Sequence, residues 1–301
     1  MLALVMHKLL STALILLSLS TFTAHAQHMA LRSEIDRIAK ASGGKVGVAI
    51  SLLENSDTLT YHNQDRYVLH SVAKLSIAMA MMHEIDLGRF KLDQSIHITK
   101  ADLPPTYSPL RDKYPDGNVN VPLEMLLTYM VSLSDNNACD IIMKLLGGAQ
   151  PIENFIHGLG INPIAIKATE AQMAASWPVQ YTNWCQPYIQ IQLLGLIYHG
   201  RPLSNKSKEF LMRILLATST GPKRLKGLLP AGTPVAHKTG TSGTNDKGLS
   251  AATNDVGIII LPNGHHLAVA VFITDSYDPV TKRELVIARI AKAAYDEFAK
   301  K

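Results

Sequence analysis

The spacing of apolar residues changes twice along this chain, and that change constrains the fold more than any other feature. Residues 46–53 form a β-rich run, and 57–61 (Asp-Thr-Leu-Thr-Tyr) read as its hairpin partner. Strand character then lapses until residues 234–241, 251–261 and 267–274, with Pro262-Asn263-Gly264 as a turn between the last two. Helical patterns dominate from residue 71 to residue 216. Helical spacing also precedes the first strand, where Leu31, Ile35, Ile38 and Ala39 share a face before Gly43-Gly44, and it returns over 284–299. Strands so far apart pair most simply if the two chain ends come together. The expectation is an α+β fold: an antiparallel sheet built from both ends (27–66 and 217–301) with flanking helices, and an all-helical domain (67–216) inserted between them. A cleft where two such parts meet is a favoured place for a binding site.

Compartment and charge narrow the function. Lys8, an apolar run over 9–17 and Ala24-His25-Ala26 read as a secretory signal, residues 1–26, cleaved after Ala26. The run is too short and too rich in Ser and Thr for a membrane span, so the expected product is periplasmic or secreted, without a stable membrane anchor. The formal net charge is +5, yet Lys and Arg are dispersed among Asp and Glu. That dispersal gives no support to nucleic-acid binding. Cys139 and Cys185 both fall in the exported part, where they either pair as a disulfide or remain buried thiols. The twelve histidines include no His-x-His-x-Asp cluster, and His265-His266 sit beside the hairpin turn as surface residues. Neither a metal nor a cofactor is expected.

Three short motifs carry chemistry. Ser71-Val72-Ala73-Lys74 opens an intensely apolar helix, so that the hydroxyl and the amine lie about one turn apart on one face. An amine in apolar surroundings gives up its proton more readily and can serve as a base. Ser134-Asp135-Asn136 lies between helical stretches at 122–133 and 137–146. Lys238-Thr239-Gly240 lies on a strand whose edge can hold an extended substrate, with Gly240 removing a Cβ that would obstruct approach. Taken singly, these words are a capping serine, a helix cap and a strand with a glycine turn. In this order they supply what acyl transfer by an active serine requires.

With these motifs the chain resembles the class A serine β-lactamases over almost all of its length. Tyr107-Ser108-Pro109 is similar to the aromatic gatekeeper segment before the second motif, and Ala251-Ala252-Thr253-Asn254-Asp255 to the strand after the third. The segment from Thr220-Gly221-Pro222 to Leu229-Pro230-Ala231-Gly232 is similar to the family's approach to its Lys-Thr-Gly strand. Glu170 stands where the family carries its hydrolytic glutamate, on a loop over about 165–184.

The resemblance implies Ser71 as nucleophile and the backbone N–H groups of Ser71 and Thr241 as oxyanion hole. It implies Lys74, or Glu170 through water, as acylation base, Ser134 as proton donor to the leaving nitrogen, and Glu170 as activator of the hydrolytic water. Tyr107, Asn136, Lys238, Thr239, Gly240, Thr241 and Arg224 would hold substrate, Arg224 by its carboxylate. Ala171 replaces a common proline, Ala174 an asparagine, Ala168 and Asn183 the arginine–aspartate pair of the loop, and His237 an aspartate. The stretch from Lys238 to Ala251 is also longer than usual. These departures resemble the PER-type subgroup and imply a monomer acting on penicillins and cephalosporins, oxyimino-cephalosporins included. A DD-peptidase, a serine glutaminase or a β-lactam sensor that acylates without release are the competing readings.

Overall fold

The computed structural model describes residues 28–300, so the signal-peptide reading lies outside the described residues. Helix α1 (Met29–Lys40) buries Leu31, Ile35, Ile38 and Ala39, the stripe its spacing marks out. Strands β1 (Lys45–Leu52) and β2 (Asp57–Tyr61) follow as an antiparallel pair, and β3 (Tyr67–Val68) leads into helix α2 (Ala73–Asp86). Every residue of α2 from Ala73 to Met82 is buried, as a helix apolar on nearly all sides must be.

The middle of the chain then alternates short strands with helices. Its elements are β4 (Ser95–Ile98), α3 (Pro109–Lys113), β5 (Val119–Pro122), α4 (Leu123–Ser132), α5 (Asn136–Leu145) and α6 (Ala149–Gly158). After them come β6 (Ile164–Ala165), α7 (Glu170–Ala175), β7 (Trp184–Cys185), α8 (Pro187–His199) and α9 (Asn205–Leu216). The short strands pair β4 with β5, and β7 with both β3 and β6. A two- to four-residue strand has too little length to display alternation, so helical spacing is all the sequence shows here.

Strand returns with β8 (Val235–Thr241), β9 (Ser250–Ile260) and β10 (His266–Ser276), and the chain closes on α10 (Val280–Phe298). That last helix begins four residues before residue 284, because its first turn after Pro279 (Val280-Thr281-Lys282-Arg283) is too polar to extend the apolar stripe. The five-stranded sheet has the order β2-β1-β10-β9-β8. Its central pairing, Ala49 opposite Ala270, joins the two chain ends antiparallel. One face (Val48, Ile50, Val269, Val271, Ile259) packs under α1 and α10, and the other (Ala49, Ala236, Ile258, Ala268, Ala270, Phe272) belongs to the core of the helical middle. Burial on both faces explains why these strands read as apolar runs instead of alternating patterns. Helix α8 packs directly on β1 and β10.

Cys139 on α5 and Cys185 on β7 are both free and buried. Burial pushes the Cys185 thiol up to about 12 and holds Cys139 well above its usual value, so neither is a ready nucleophile. Iodoacetamide should therefore add nothing to the native protein, and two alkyl groups after unfolding without reductant, read by intact mass.

Candidate active site

The Ser71–Lys74 motif sits where the sheet meets the helical core. Sequence spacing places Ser71 at the start of a helix; the structure tightens His70–Val72 into a 3-10 turn ahead of α2, with Val72 N–H donating to Leu69 O at 3.2 Å. Asn254 of β9 fixes this turn from below, its Nδ2 donating to Val68 O at 2.8 Å and Leu69 O at 3.1 Å. Gly240 makes that approach possible, since a Cβ there would lie 2.5 Å from Leu69 O and 3.1 Å from Val72 Cγ2. The missing Cβ thus makes room for the turn that carries Ser71, which corrects the expectation that it clears a substrate's approach.

One turn on, the fully buried Lys74 has three acceptors around Nζ. These are Ser134 O at 2.8 Å, Asn136 Oδ1 at 2.7 Å and Glu170 Oε1 at 3.0 Å. An ammonium has three protons to give, and all three are taken by groups of the second motif and the loop.

The second motif is a helix cap and a site component at once. Asp135 caps α5 by accepting from Ala138 N–H, and its carboxylate also accepts from Ser108 Oγ and Leu110 N–H. Those bonds, with Asn136 N–H on Tyr107 O at 3.1 Å, hold the Tyr107 segment at the rim, where the ring is 58% exposed. Ser134 occupies a left-handed conformation (φ 60°), a strained geometry that recurs at functional positions. Its Oγ accepts from Lys238 Nζ at 2.8 Å. Burial, and then the charge of Lys74, hold the Lys238 amine well below its ordinary value.

Strand β8 is an edge of the sheet. Ser242 N–H donates to Ala252 O and Ile260 N–H to Pro234 O. Antiparallel ladders alternate every second residue, so even-numbered β8 groups face β9 and odd-numbered ones face outward. His237 O, accepting from Thr218 Oγ1, and Thr239 O, accepting from Lys238 Nζ, follow that parity. The N–H of Thr241 accordingly points off the sheet on the side of the cleft.

Glu170 stands in the first turn of α7, capped by Thr169 and Gln172 in a reciprocal pair. Asp140 of α5 accepts from both Glu170 N–H at 2.8 Å and Ala171 N–H at 2.9 Å, fixing the turn despite the missing proline. Burial holds the Asp140 carboxyl above the usual range, against the pull of those two bonds. Asn183 replaces the charged pin of the loop with a neutral one. Its Oδ1 accepts from Lys167 N–H and Ala168 N–H, and its Nδ2 donates to Ala168 O. A single amide thus closes the loop's neck with Ala168 as partner.

Arg224 is 4% exposed and is not among the residues that line the cleft. It donates to Gly240 O at 3.1 Å, Asn254 O at 3.0 Å and Thr241 Oγ1 at 2.8 Å, with Glu284 at 3.2 Å on Nε. The expectation that Arg224 meets a substrate carboxylate directly is corrected: its guanidinium is turned onto the strand's backbone, the Thr241 hydroxyl and Glu284, away from the cleft lining.

The cleft, about 550 Å³, is lined by Ser71, Tyr107, Ser134, Asn136, Glu170, Thr239 and Thr241, within the range of small-molecule sites. It is also lined by His70, Met173, Trp177, Gln180 and Ser242, which sequence reasoning missed as site residues. His70 carried no periodic or motif signal beyond its place beside Ser71, and Gln180 only that of the Gln180-Tyr181-x-Asn183-Trp184 pattern, which resembles the PER-type subgroup without assigning Gln180 a role. Among the described residues, no three His, Cys, Asp or Glu side chains gather as ligands of a metal ion.

A family model described as "Beta-lactamase enzyme family" matches residues 30–298. The chain belongs to that family. Class A is its branch: a solved class A β-lactamase from Bacteroides cellulosilyticus superposes with a TM-score of 0.88 at 36% identity, over 91% of this chain and 99% of that one. Among curated relatives, the β-lactamase VEB-1 of Pseudomonas aeruginosa is 41% identical over 96% of this chain and 97% of its own length. The extended-spectrum β-lactamase PER-1 of the same organism is 40% identical over 97% and 94%. This β-lactamase therefore carries the likeness over residues 30–298, a span that includes the stretches whose residues depart from the commoner class A pattern.

Proposed function

We propose that this enzyme hydrolyses the amide of penicillins and cephalosporins through an acyl-Ser71 intermediate and so confers resistance to them. The observation that carries the proposal is the Lys74 ammonium, bonded at once to the Ser134–Asn136 corner and to Glu170 in the cleft that holds Ser71. Ser71 Oγ attacks the lactam carbonyl, and its proton leaves either through Lys74, once that ammonium has passed one of its own protons to Glu170 at 3.0 Å, or through a water held by Glu170. The N–H groups of Ser71 and Thr241 receive the developing oxyanion; losing one such donor costs on the order of 10²–10³ in rate. Ser134, kept polarised by Lys238 Nζ, protonates the departing nitrogen. Asn136 and the outward groups of Thr239 and Thr241 align the substrate, Tyr107 closes the rim, and Arg224 fixes the Thr241 hydroxyl that meets the carboxylate. Glu170 then directs water onto the ester.

Oxyimino-cephalosporins fall within the proposed range. Ala174 on the cleft wall stands where a larger asparagine is usual, and PER-1 is named as an extended-spectrum enzyme. The working form is read as an exported monomer, cleaved near Ala26 and free of a membrane anchor. No helix among the described residues is long and apolar enough to cross a membrane. Steady-state assays with nitrocefin, benzylpenicillin and cefotaxime test the reading, and many turnovers per enzyme are expected for each, unchanged by a chelator. A single stoichiometric burst would favour the sensor or DD-peptidase, and an inert cefotaxime would remove the extended range.

A further inference from the structure

We propose that His70 is a positioning residue, holding the Glu170 loop through Gln180 against the turn that carries Ser71, and thereby setting the rate of acyl release. The proposal rests on the acyl-enzyme reading above. His70 Nε2 lies 2.7 Å from Gln180 Oε1. Gln180 is 3% exposed, and its own Nε2 donates to Trp177 O at 2.9 Å. That second bond fixes which end of the amide is which, so Oε1 is the acceptor and His70 supplies the proton from Nε2.

The geometry beneath the imidazole is specific. His70 adopts φ 45°, a left-handed conformation that Asn, Asp and His tolerate better than most residues. It is the residue immediately before Ser71 and lines the cleft with it. Burial holds its imidazole below the ordinary histidine value; Glu170 acts in the opposite direction and Lys74 in the same one. The ring is thus neutral near pH 7, adding no cation beside the Lys74 ammonium.

Gln180 lies in the 3-10 turn Trp177–Thr182, which packs on α7 and so on the helix whose first turn presents Glu170. Beside Gln180, the Tyr181 hydroxyl donates to Asp275 Oδ1 at 2.5 Å and holds the exposed edge of the same turn to β10, and Lys74 ties Glu170 to α2. Neither spans from the turn to the residue beside Ser71, and the loop's remaining clamps act elsewhere. Asn183 side-chain bonds close the neck within the loop, and Asp140 holds the α7 N-terminus to α5. Leu69 N–H on Asn183 O, at 2.9 Å, ties the neck to the chain just before the turn. The His70–Gln180 bond is the side-chain tie that spans the cleft floor between the residue beside the nucleophile and the body of the loop. Its loss would leave Ser71 in place and free the loop to drift, which affects the base that directs water more than the attack on the lactam.

The test compares His70→Ala, Gln180→Ala, the double variant and His70→Gln in the mature enzyme with cefotaxime. Acylation is timed by stopped flow, and acyl-enzyme decay by quenched intact-mass measurement. Each single alanine is expected to slow decay, by about 10²-fold, while leaving acylation nearly unchanged. The double variant should be no slower than either single, as expected of partners in one bond. His70→Gln, whose terminal N–H falls near the position of Nε2–H, should recover much of the loss. Additive losses, equal slowing of both steps, or no recovery in a His70→Gln protein of normal melting temperature would each overturn the inference. Should His70→Ala fail to fold, Gln180→Ala and His70→Gln decide by the same readouts. If the unsubstituted enzyme never forms an acyl adduct on Ser71, the parent reading fails, and this one with it.

Discussion

Ser71→Ala should eliminate covalent labelling by benzylpenicillin and reduce nitrocefin turnover by about 10⁶-fold, as removal of a nucleophilic serine does elsewhere. The expected size follows from how little else in the cleft could replace the hydroxyl. Ser134 Oγ is already the acceptor of Lys238 Nζ, and the buried cysteines have thiols raised far from nucleophilic form. The oxyanion donors and the substrate-holding strand edge would remain, so substrate should still bind while no ester forms. Alanine fits the 3-10 turn without strain, because Leu69, Val72 and Asn254 hold the backbone and the serine side chain does not. The melting temperature should accordingly stay close to that of the parent. An adduct of penicillin mass on Ser71→Ala would move the nucleophile to another residue and undo the assignment.

What could be read from the sequence divides by physical type. The joining of the chain ends was legible because strands β1, β9 and β10 are long and apolar enough to announce themselves. The motif residues were legible because acyl transfer needs a hydroxyl, an amine and a strand edge together. What escaped were contacts whose meaning depends on a partner distant in the chain. Asn183 read alone looks like the loss of an ion pair, and only with Ala168 and Lys167 in place is it a neck clamp. Gly240 looks like room for substrate until the Leu69 carbonyl is seen against it. Arg224 looks like an anion ligand until its donors are counted onto Gly240, Asn254, Thr241 and Glu284. The helix that Glu170 opens is a related case: Asp140, thirty residues upstream, anchors it by accepting from the Glu170 and Ala171 N–H groups, a tie that the loop's own residues do not announce.

Glu170→Gln should label as completely as the parent and then release its acyl group slowly, by about 10²–10⁴-fold, the usual worth of general-base assistance. The substitution is clean for a structural reason. The loop is held by backbone bonds to Asp140 and by Asn183, neither of which involves the Glu170 carboxylate. The amide oxygen can still accept from Lys74 Nζ, which lies 3.0 Å from Oε1. Stability should therefore fall by less than the roughly 3–5 kcal/mol that leaving a buried charge without a partner costs. What the amide cannot do is take a proton from water. The same variant also assigns the base of the first step. If Lys74, no longer paired with a carboxylate, is a free amine in the variant and takes the Ser71 proton directly, acylation stays fast and only decay slows, so the adduct accumulates to one per enzyme within the mixing time. If the proton leaves through a water on Glu170, acylation slows alongside decay, and the adduct builds up gradually. Turnover equal to the parent would remove Glu170 from both steps.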